Sequence, residues 1–370
     1  MPEPTADFTA TLRTALAGAD TADARALWRA LGAGGVLVAL CPDGGTQPDP
    51  RRLATLLTEL DARCPLGVAL SICVQVATVL PLLSEPATGP VAGPVAETVA
   101  DLVRGETTVA LAVTDAGASG SDLLDATTRA KLGDDAVTLD GRKEWITNAT
   151  TCDAALVLAR HREPRHFTSF CWLLVPRSAP GVTVEPAGRA FAGSGVGHLR
   201  FDGVALEPNA LVGRPGRALA GFARQVGVER LAGALWSRAI CRRLMTGLGD
   251  WLRARPAADG TLWDHPAVRE RYARCLVALR QLDALCAPLL DGPPGPPSTA
   301  TGMVLKVAAA ETVETIAAEA VHLRGADAFR DGGEAALRTE AAMFGIAGGA
   351  TGTMLAGLAD HADDLLGSRP

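Results

Sequence analysis

The apolar positions of this chain change their spacing twice. From Phe8 to Arg104 they recur at three- and four-residue intervals, as in Leu53, Leu56, Leu57 and Leu60, the period of helices that bury one face. Proline and glycine clusters at Pro42–Gly45 and Pro86–Pro94 punctuate this stretch. From Thr108 to Leu206 the pattern becomes one of short runs: Thr108–Val113, Ala136–Leu139, Ala155–Ala159, Phe170–Val175, Val182–Val184 and His198–Phe201. Glycine, proline and polar residues separate them, with a turn expected at Asp140–Gly141, and the spacing predicts a small antiparallel barrel or sandwich. After Arg214-Pro215-Gly216 the helical period returns in Val228, Leu231 and Leu235, then in Leu244, Leu248 and Trp251. A loop at Gly292–Pro297 divides this last part, and Met303–Leu323 and Ala335–Leu366 supply its remaining helices.

The order is α, then β, then α. It predicts an α+β protein with an N-terminal helical domain over 1–107, a central β-domain over 108–213 and a C-terminal helical bundle over 214–370. A chain of 370 residues exceeds one ordinary core, which agrees with several domains. The strands do not alternate with helices as in a doubly wound sheet. Gly193–Gly197 is glycine-rich, but it lies among strands and no helix follows it. A nicotinamide-binding fold is therefore not expected.

Composition narrows the picture further. Hydrophobic residues make up 48% of the chain and charged residues 21%, as in a globular protein. The net charge of −6 and the lack of a basic stripe with interleaved aromatics exclude nucleic acid as the expected partner. The eight cysteines and six histidines are dispersed without metal-ligand spacing, so no metal is expected and most cysteines read as small buried hydrophobes. The most apolar run, Leu66–Leu83, is broken by Gly67, Ser71, Gln75, Thr78 and Pro81 and reads as a buried core helix rather than a membrane span. The polar, acidic N-terminus lacks the pattern of a secretory leader, and a cytoplasmic location is expected.

The middle of the chain carries its sharpest signals. Leu111-Ala112-Val113-Thr114-Asp115-Ala116-Gly117-Ala118-Ser119-Gly120-Ser121-Asp122 resembles the T-E-P-x-A-G-S-D segment of the acyl-CoA dehydrogenases. Asp140-Gly141-Arg142-Lys143-Glu144-Trp145-Ile146-Thr147-Asn148 resembles that family's N-G-x-K-x-W-I-T-N. The likeness continues through Phe201-Asp202-Gly203-Val204 and Leu211-Val212-Gly213 and, faintly, over almost the whole chain.

The resemblance implies bound FAD. Leu111, Val113 and Thr114 would contact it, the latter two at its pyrimidine edge. Trp145 would pack on the ring beside Ile146, with the Thr147 hydroxyl near N5. Gly120 and Ser121 would lie at a phosphate, with Ser121 also in reach of a thioester arm. Taken alone, Trp145 reads as a core aromatic. In His322–Phe329, which stands for the family's Q-I-L-G-G-N-G-F, His322 and Gly325 would serve adenine-side phosphates across an interface, although His322 reads equally as an ordinary surface or core histidine. Thr351 would replace the family's flavin-contacting threonine with a one-residue shift. The family's R-x-x-F-G appears as Arg255-Pro256-Ala257-Ala258-Asp259-Gly260, without its phenylalanine.

Removing an α-proton from a thioester takes a carboxylate. In much of the family this is the glutamate of a late I-Y-E-G-T segment, which here reads Ile346-Ala347-Gly348-Gly349-Ala350-Thr351. Isovaleryl-type and long-chain relatives place the base in an E-R-L segment instead, matched here by Glu229-Arg230-Leu231, so the resemblance implies Glu229 as base. Out of context, the same Glu-Arg pair reads as a solvated pair at a helix start. The implied activity is α,β-dehydrogenation of an acyl thioester borne by CoA or by an acyl carrier protein. The implied partners are an electron-transfer flavoprotein and a second or further copy of the chain in a homodimer or homotetramer. A flavin monooxygenase on the same fold and a non-catalytic relative are the alternatives.

Overall fold

The computed structural model describes residues 4–42, 47–84, 93–117, 123–188, 191–293 and 295–367. The chain clusters into two compact units, one of Met1–Arg52 and Arg63–Glu229, the other of Leu53–Ala62 and Arg230–Pro370.

The first unit opens with helices α1 (Pro4–Ala17), α2 (Ala24–Ala33) and α3 (Val36–Leu40). Asp23 starts α2 because its carboxylate accepts the N–H groups of Arg25 and Ala26, two donors that a helix start leaves without partners. Leu27, Trp28 and Leu31 are the buried face of α2, and the Trp28 indole N–H bonds the Thr107 carbonyl at 2.8 Å. Helix α4 (Pro50–Arg63) follows, and most of its length belongs to the second unit.

The run Leu66–Leu83 is continuous helix: α5 (Leu66–Val74), a π-helical turn at Gln75–Val79 and α6 (Leu80–Leu83). Its mean hydropathy is 2.2 and it is 89% buried, the core helix that its broken apolar pattern predicts. Gly67 lets it approach the sheet side closely, since a Cβ there would lie 2.3 Å from the carbonyl oxygens of Phe191 and Ala192. Helix α7 (Gly93–Val103) closes the helical part.

Eight strands then form one sheet: β1 (Val109–Ala112), β2 (Arg129–Leu132), β3 (Val137–Ile146), β4 (Ala154–Arg160), β5 (Phe170–Pro176), β6 (Val182–Pro186), β7 (Gly197–Leu206) and β8 (Leu211–Val212). Their order is β6-β7-β3-β2-β4-β5-β8, with β1 beside β4. Alternate residues of the long strands, such as Val137, Leu139, Leu199 and Phe201, join one apolar cluster with Val157, Leu173 and Val175. The sheet is mostly antiparallel, as expected, with β1 and β2 each pairing with β4 in parallel.

The turn expected at Asp140–Gly141 is not there, because β3 runs straight through it. Its register against β7 slips between Leu139 and Gly141, and Gly141 at φ +148° passes so close to Thr128 that a Cβ would lie 2.6 Å from the Thr128 hydroxyl. The bulge lies in β7, where Asp202 and Gly203 both face Asp140, and Gly141 simply continues β3. The hairpin turn lies earlier, where the Gly133 N–H bonds the Ala136 carbonyl at 3.0 Å. Strand β2 escapes notice in the sequence because Arg-Ala-Lys-Leu carries no β-branched residue.

In the second unit, Leu53, Leu56, Leu57 and Leu60 of α4 are fully buried. Asp61 receives two bonds, 2.8 and 2.9 Å, from the Arg243 guanidinium. Arg243 stands on α8 (Ala218–Ala254), which is followed by a small hairpin, β9 (Pro256–Ala257) and β10 (Gly260–Thr261), and by α9 (Pro266–Leu290) and α10 (Thr299–Arg324). The predicted helical stretch Ala335–Leu366 is divided into α11 (Glu334–Ala341), α12 (Thr351–Asp360) and α13 (Ala362–Leu365). Gly348 and Gly349, at φ +69° and +106°, form the break between α11 and α12.

A fully buried ion pair, Asp115 with Lys143, joins the segment after β1 to β3. Thr128 adds its N–H at 2.7 Å and its hydroxyl at 2.9 Å to the same carboxylate. Burial alone would push the Asp115 carboxyl up, but the Lys143 ammonium and the Thr128 donors outweigh it and hold the group below the ordinary carboxylate range. Asp115→Asn leaves Lys143 buried beside a neutral amide and should cost about 3 kcal/mol in urea denaturation at neutral pH. The Asp115 contribution is present above the carboxylate's unfolded value, ~4, and is lost as the pH falls through its lower folded value. The stability gap between the protein and this variant should therefore close in strongly acid solution.

Candidate functional site

The end of β3 is the most unusual backbone in the first unit. Register against β7 shifts again between Lys143 and Ile146, so Glu144 and Trp145 both face His198. Trp145 takes φ +58°, a left-handed conformation that costs a bulky residue about 1–3 kcal/mol. The bulge turns its side chain out of the sheet, and Trp145 is 62% exposed, unlike the core aromatic it resembles when taken out of its motif. Ile146, one position on, is 3% exposed within the sheet core, so contacts beyond the core fall to its backbone. Thr147 is half-buried on the turn that follows.

That turn is clamped from below. The Asn148 N–H bonds the Ser194 carbonyl at 2.9 Å, and the Thr150 N–H bonds Gly195 at 3.0 Å. A Cβ on Gly195 would lie 2.5 Å from the Thr151 hydroxyl. The glycine-rich stretch Gly193–Gly197 therefore serves as a close-packed seat for the Trp145 turn.

Segment 113–116 runs alongside β3. The Glu144 N–H bonds the Thr114 carbonyl at 2.9 Å, the Ala116 N–H bonds Arg142 at 3.1 Å, and the Lys143 ammonium bonds the Val113 carbonyl at 2.9 Å. The structure thus brings Val113, Thr114 and Trp145 onto one edge. The Val113 and Thr114 carbonyls are engaged within the protein, which leaves N–H groups and the Thr114 hydroxyl as what this edge can offer a ligand. Leu111 is half-buried on β1.

Glu229 is half-buried on α8 and receives the Thr78 hydroxyl at 3.4 Å. Thr78 belongs to a row of buried polar side chains on the otherwise apolar run Leu66–Leu83: Ser71 at 3% exposure, Gln75 at 0% and Thr78 at 1%. Ser71 exchanges hydrogen bonds with Asn148, its hydroxyl donating to the amide oxygen and its carbonyl accepting at 3.3 Å. Gln75 reads both backbone groups of Val109, donating to its carbonyl at 2.7 Å and accepting its N–H at 3.1 Å. One helix thus ties together the turn after Trp145, the start of the strand leading to Val113-Thr114, and Glu229. Burial, with the Glu229 charge adding to it, pushes the Cys73 thiol up to about 12, so Cys73 is a neutral apolar neighbour of the carboxylate.

Gly120 and Ser121 lie outside the described residues. In the second unit His322 is exposed in the last turn of α10, and Gly325 at φ +59° caps that helix. Thr351 opens α12, where its hydroxyl donates to the Gly345 carbonyl at 3.1 Å and accepts the Lys306 ammonium at 3.1 Å. Gly348 carries no side chain and holds a backbone angle that favours glycine.

Sequence reasoning passed over Ser71, Gln75 and Thr78 as mere breaks in an apolar run, and it passed over His198 entirely. The signal for the first three was their spacing, which returns to one side of a helix. His198 gave none, since its partner is set by the bulge.

Family models for the acyl-CoA dehydrogenase middle domain and the acyl-CoA dehydrogenase C-terminal domain match residues 110–204 and 220–362. The chain is 27% identical over 176 residues to acyl-CoA dehydrogenase IpdE1 of Mycobacterium tuberculosis, a match that covers 47% of this chain and 44% of that protein. The chain thus spans about half the length of the curated relatives it matches. Among solved structures, an acyl-CoA dehydrogenase from Geobacillus kaustophilus superposes with a TM-score of 0.85 at 20% identity, covering 98% of this chain and 99% of that one. An FAD complex of PigA superposes with a TM-score of 0.82 at 18% identity, covering 98% of each chain. At these identities the likeness to the structures is one of fold.

Gln75→Met keeps the volume but strips Val109 of both amide partners inside the core. It should lower stability by about 2 kcal/mol, read as a shifted denaturant midpoint, while Arg142→Ala, at an exposed position of β3, should change it by less than about 0.5 kcal/mol.

Proposed function

Because the chain belongs to the acyl-CoA dehydrogenase family, we propose that it is an FAD-dependent oxidoreductase that desaturates an acyl thioester between its α- and β-carbons. The acyl group is carried by CoA or by the phosphopantetheine arm of an acyl carrier protein. When bound, FAD supplies the acceptor for the β-hydride, and an electron-transfer flavoprotein then reoxidises it.

The residues of the first unit fit such a cofactor. A flat aromatic ring needs a flat apolar surface, and Trp145 presents an exposed indole on a backbone bent to expose it. The pyrimidine edge of a flavin offers both acceptors and donors, and the Val113-Thr114 edge carries N–H groups and a hydroxyl to meet them. Lys143 and Asp115 fix that edge by holding the Val113 carbonyl and the loop at Thr128. Thr147 brings a hydroxyl to the same turn as Trp145.

Glu229 takes the α-proton. The Thr78 hydroxyl orients its carboxylate beside the neutral Cys73 thiol. The observation that carries this reading is the pairing of opposites in two segments: a glycine at φ +69° where most relatives have their base, and a carboxylate held by Thr78 where the alternative base resides. His322, Gly325 and Thr351 of the second unit are further proposed cofactor contacts, His322 and Gly325 across an interface between copies, and a homodimer or homotetramer is the proposed assembly.

The test is an anaerobic titration of flavin-loaded protein with a panel of acyl-CoA and acyl-carrier thioesters, followed by loss of the visible flavin absorbance. Bleaching by at least one thioester is expected, and Glu229→Gln should slow it by about 100-fold or more without loosening FAD. Bleaching by none would refute the desaturase reading. Full turnover by Glu229→Gln with matching oxygen uptake would move the assignment to a flavin monooxygenase.

A further inference from the structure

We propose that His198 is a positioning residue for Trp145, holding the indole outward and so setting how tightly FAD is retained. The proposal rests on the reading of Trp145 as the flavin wall.

The geometry is specific to this chain's β3–β7 pair. Where Glu144 and Trp145 crowd against a single residue, that residue is His198. Its Nδ1 accepts the Trp145 backbone N–H at 3.3 Å. Its ring also meets the indole edge-on, with centroids 5.3 Å apart and planes at 81°, the arrangement that two aromatic quadrupoles prefer. One imidazole thus grips both the strained backbone and the side chain of Trp145. A left-handed tryptophan at φ +58° relaxes unless its surroundings hold it. His198 supplies such a hold.

Two variants separate the parts of this grip. Asparagine places an amide oxygen where Nδ1 stood, keeping the acceptor and losing the ring. Phenylalanine keeps a ring edge against the indole and loses the acceptor. The first readout needs no cofactor: quenching of Trp145 emission by a neutral solute, taken as the difference between each protein and its Trp145→Phe counterpart. The second is the FAD dissociation constant of stripped protein, with the absorption band shape of the bound flavin. Far-ultraviolet dichroism checks that each variant is folded.

His198→Phe should reduce the quenching of Trp145, weaken FAD by about ten-fold, the loss of one hydrogen bond, and alter the flavin band. His198→Asn should restore all three to within about two- to three-fold of the parent, well under the effect of one lost bond. Unchanged quenching in His198→Phe overturns the proposal, as does an Asn variant that is no better than the Phe variant. Altered quenching with unaltered FAD affinity shows that His198 holds Trp145 but that Trp145 is not the flavin wall, which rejects the cofactor half of the proposal and the placement it rests on. Failure of the parent protein to bind FAD at all sinks the proposed function, while the quenching series still decides the His198–Trp145 contact.

Discussion

The first unit is organised by the cost of leaving a buried polar group without a partner. Ser71, Gln75 and Thr78 sit on a helix surrounded by apolar side chains, and each must find hydrogen bonds inside the protein or forfeit its hydration. Each finds them in a different piece of the site: Asn148, Val109 and Glu229. Because these contacts are few and directional, they fix the relative register of a helix, a strand and a turn far more tightly than apolar packing alone would. The hydrophobic surface of Leu66–Leu83 decides that the helix is buried. Its three polar residues decide how.

Much of this was legible in the sequence, for reasons that can be assigned residue by residue. Changes in apolar period mark where helices give way to strands and return, since burial on one face leaves the same imprint in any helix or strand. Leu66–Leu83 is recognisable as a core helix because Gly67, Ser71 and Gln75 break a run that lipid would need unbroken. The W-I-T-N segment stands out because its residue types are unusual together. What the sequence hides is whatever depends on partners distant in the chain. Asp140–Gly141 has the composition of a turn, but both residues lie within one long strand, where Gly141 passes close to Thr128. Trp145 has the composition of a core residue, and only the register slip against β7 turns it outward. Parallel pairing of β1 with β4 leaves no local trace, since the ladder joins residues far apart in the chain, as Val109 with Ala154.

The glycine-rich break before α12 is a matter of backbone conformation. Gly348 and Gly349 both hold positive φ, and the turn they form is secured by the chain Lys306–Thr351–Gly345 and by a bond from Arg230 to the Gly348 carbonyl at 3.4 Å. Burial, then the nearby Arg230 charge, pushes the Lys306 ammonium down to about 8. A side chain restored at Gly348 would meet an unfavourable backbone before any question of chemistry arose. The glycines here are therefore part of how the turn is built.

The π-helical turn at Gln75–Val79 carries a consequence for how this protein can change over time. Each added or removed residue rotates the rest of a helix by roughly 100° about its axis. The wider turn sets the phase at which Thr78 arrives relative to Ser71, and that phase is what brings its hydroxyl to Glu229. Insertions and deletions in Leu66–Leu83 are thus barred by angle as well as by burial. Descendants of this sequence can exchange side chains along the helix, but its length is locked.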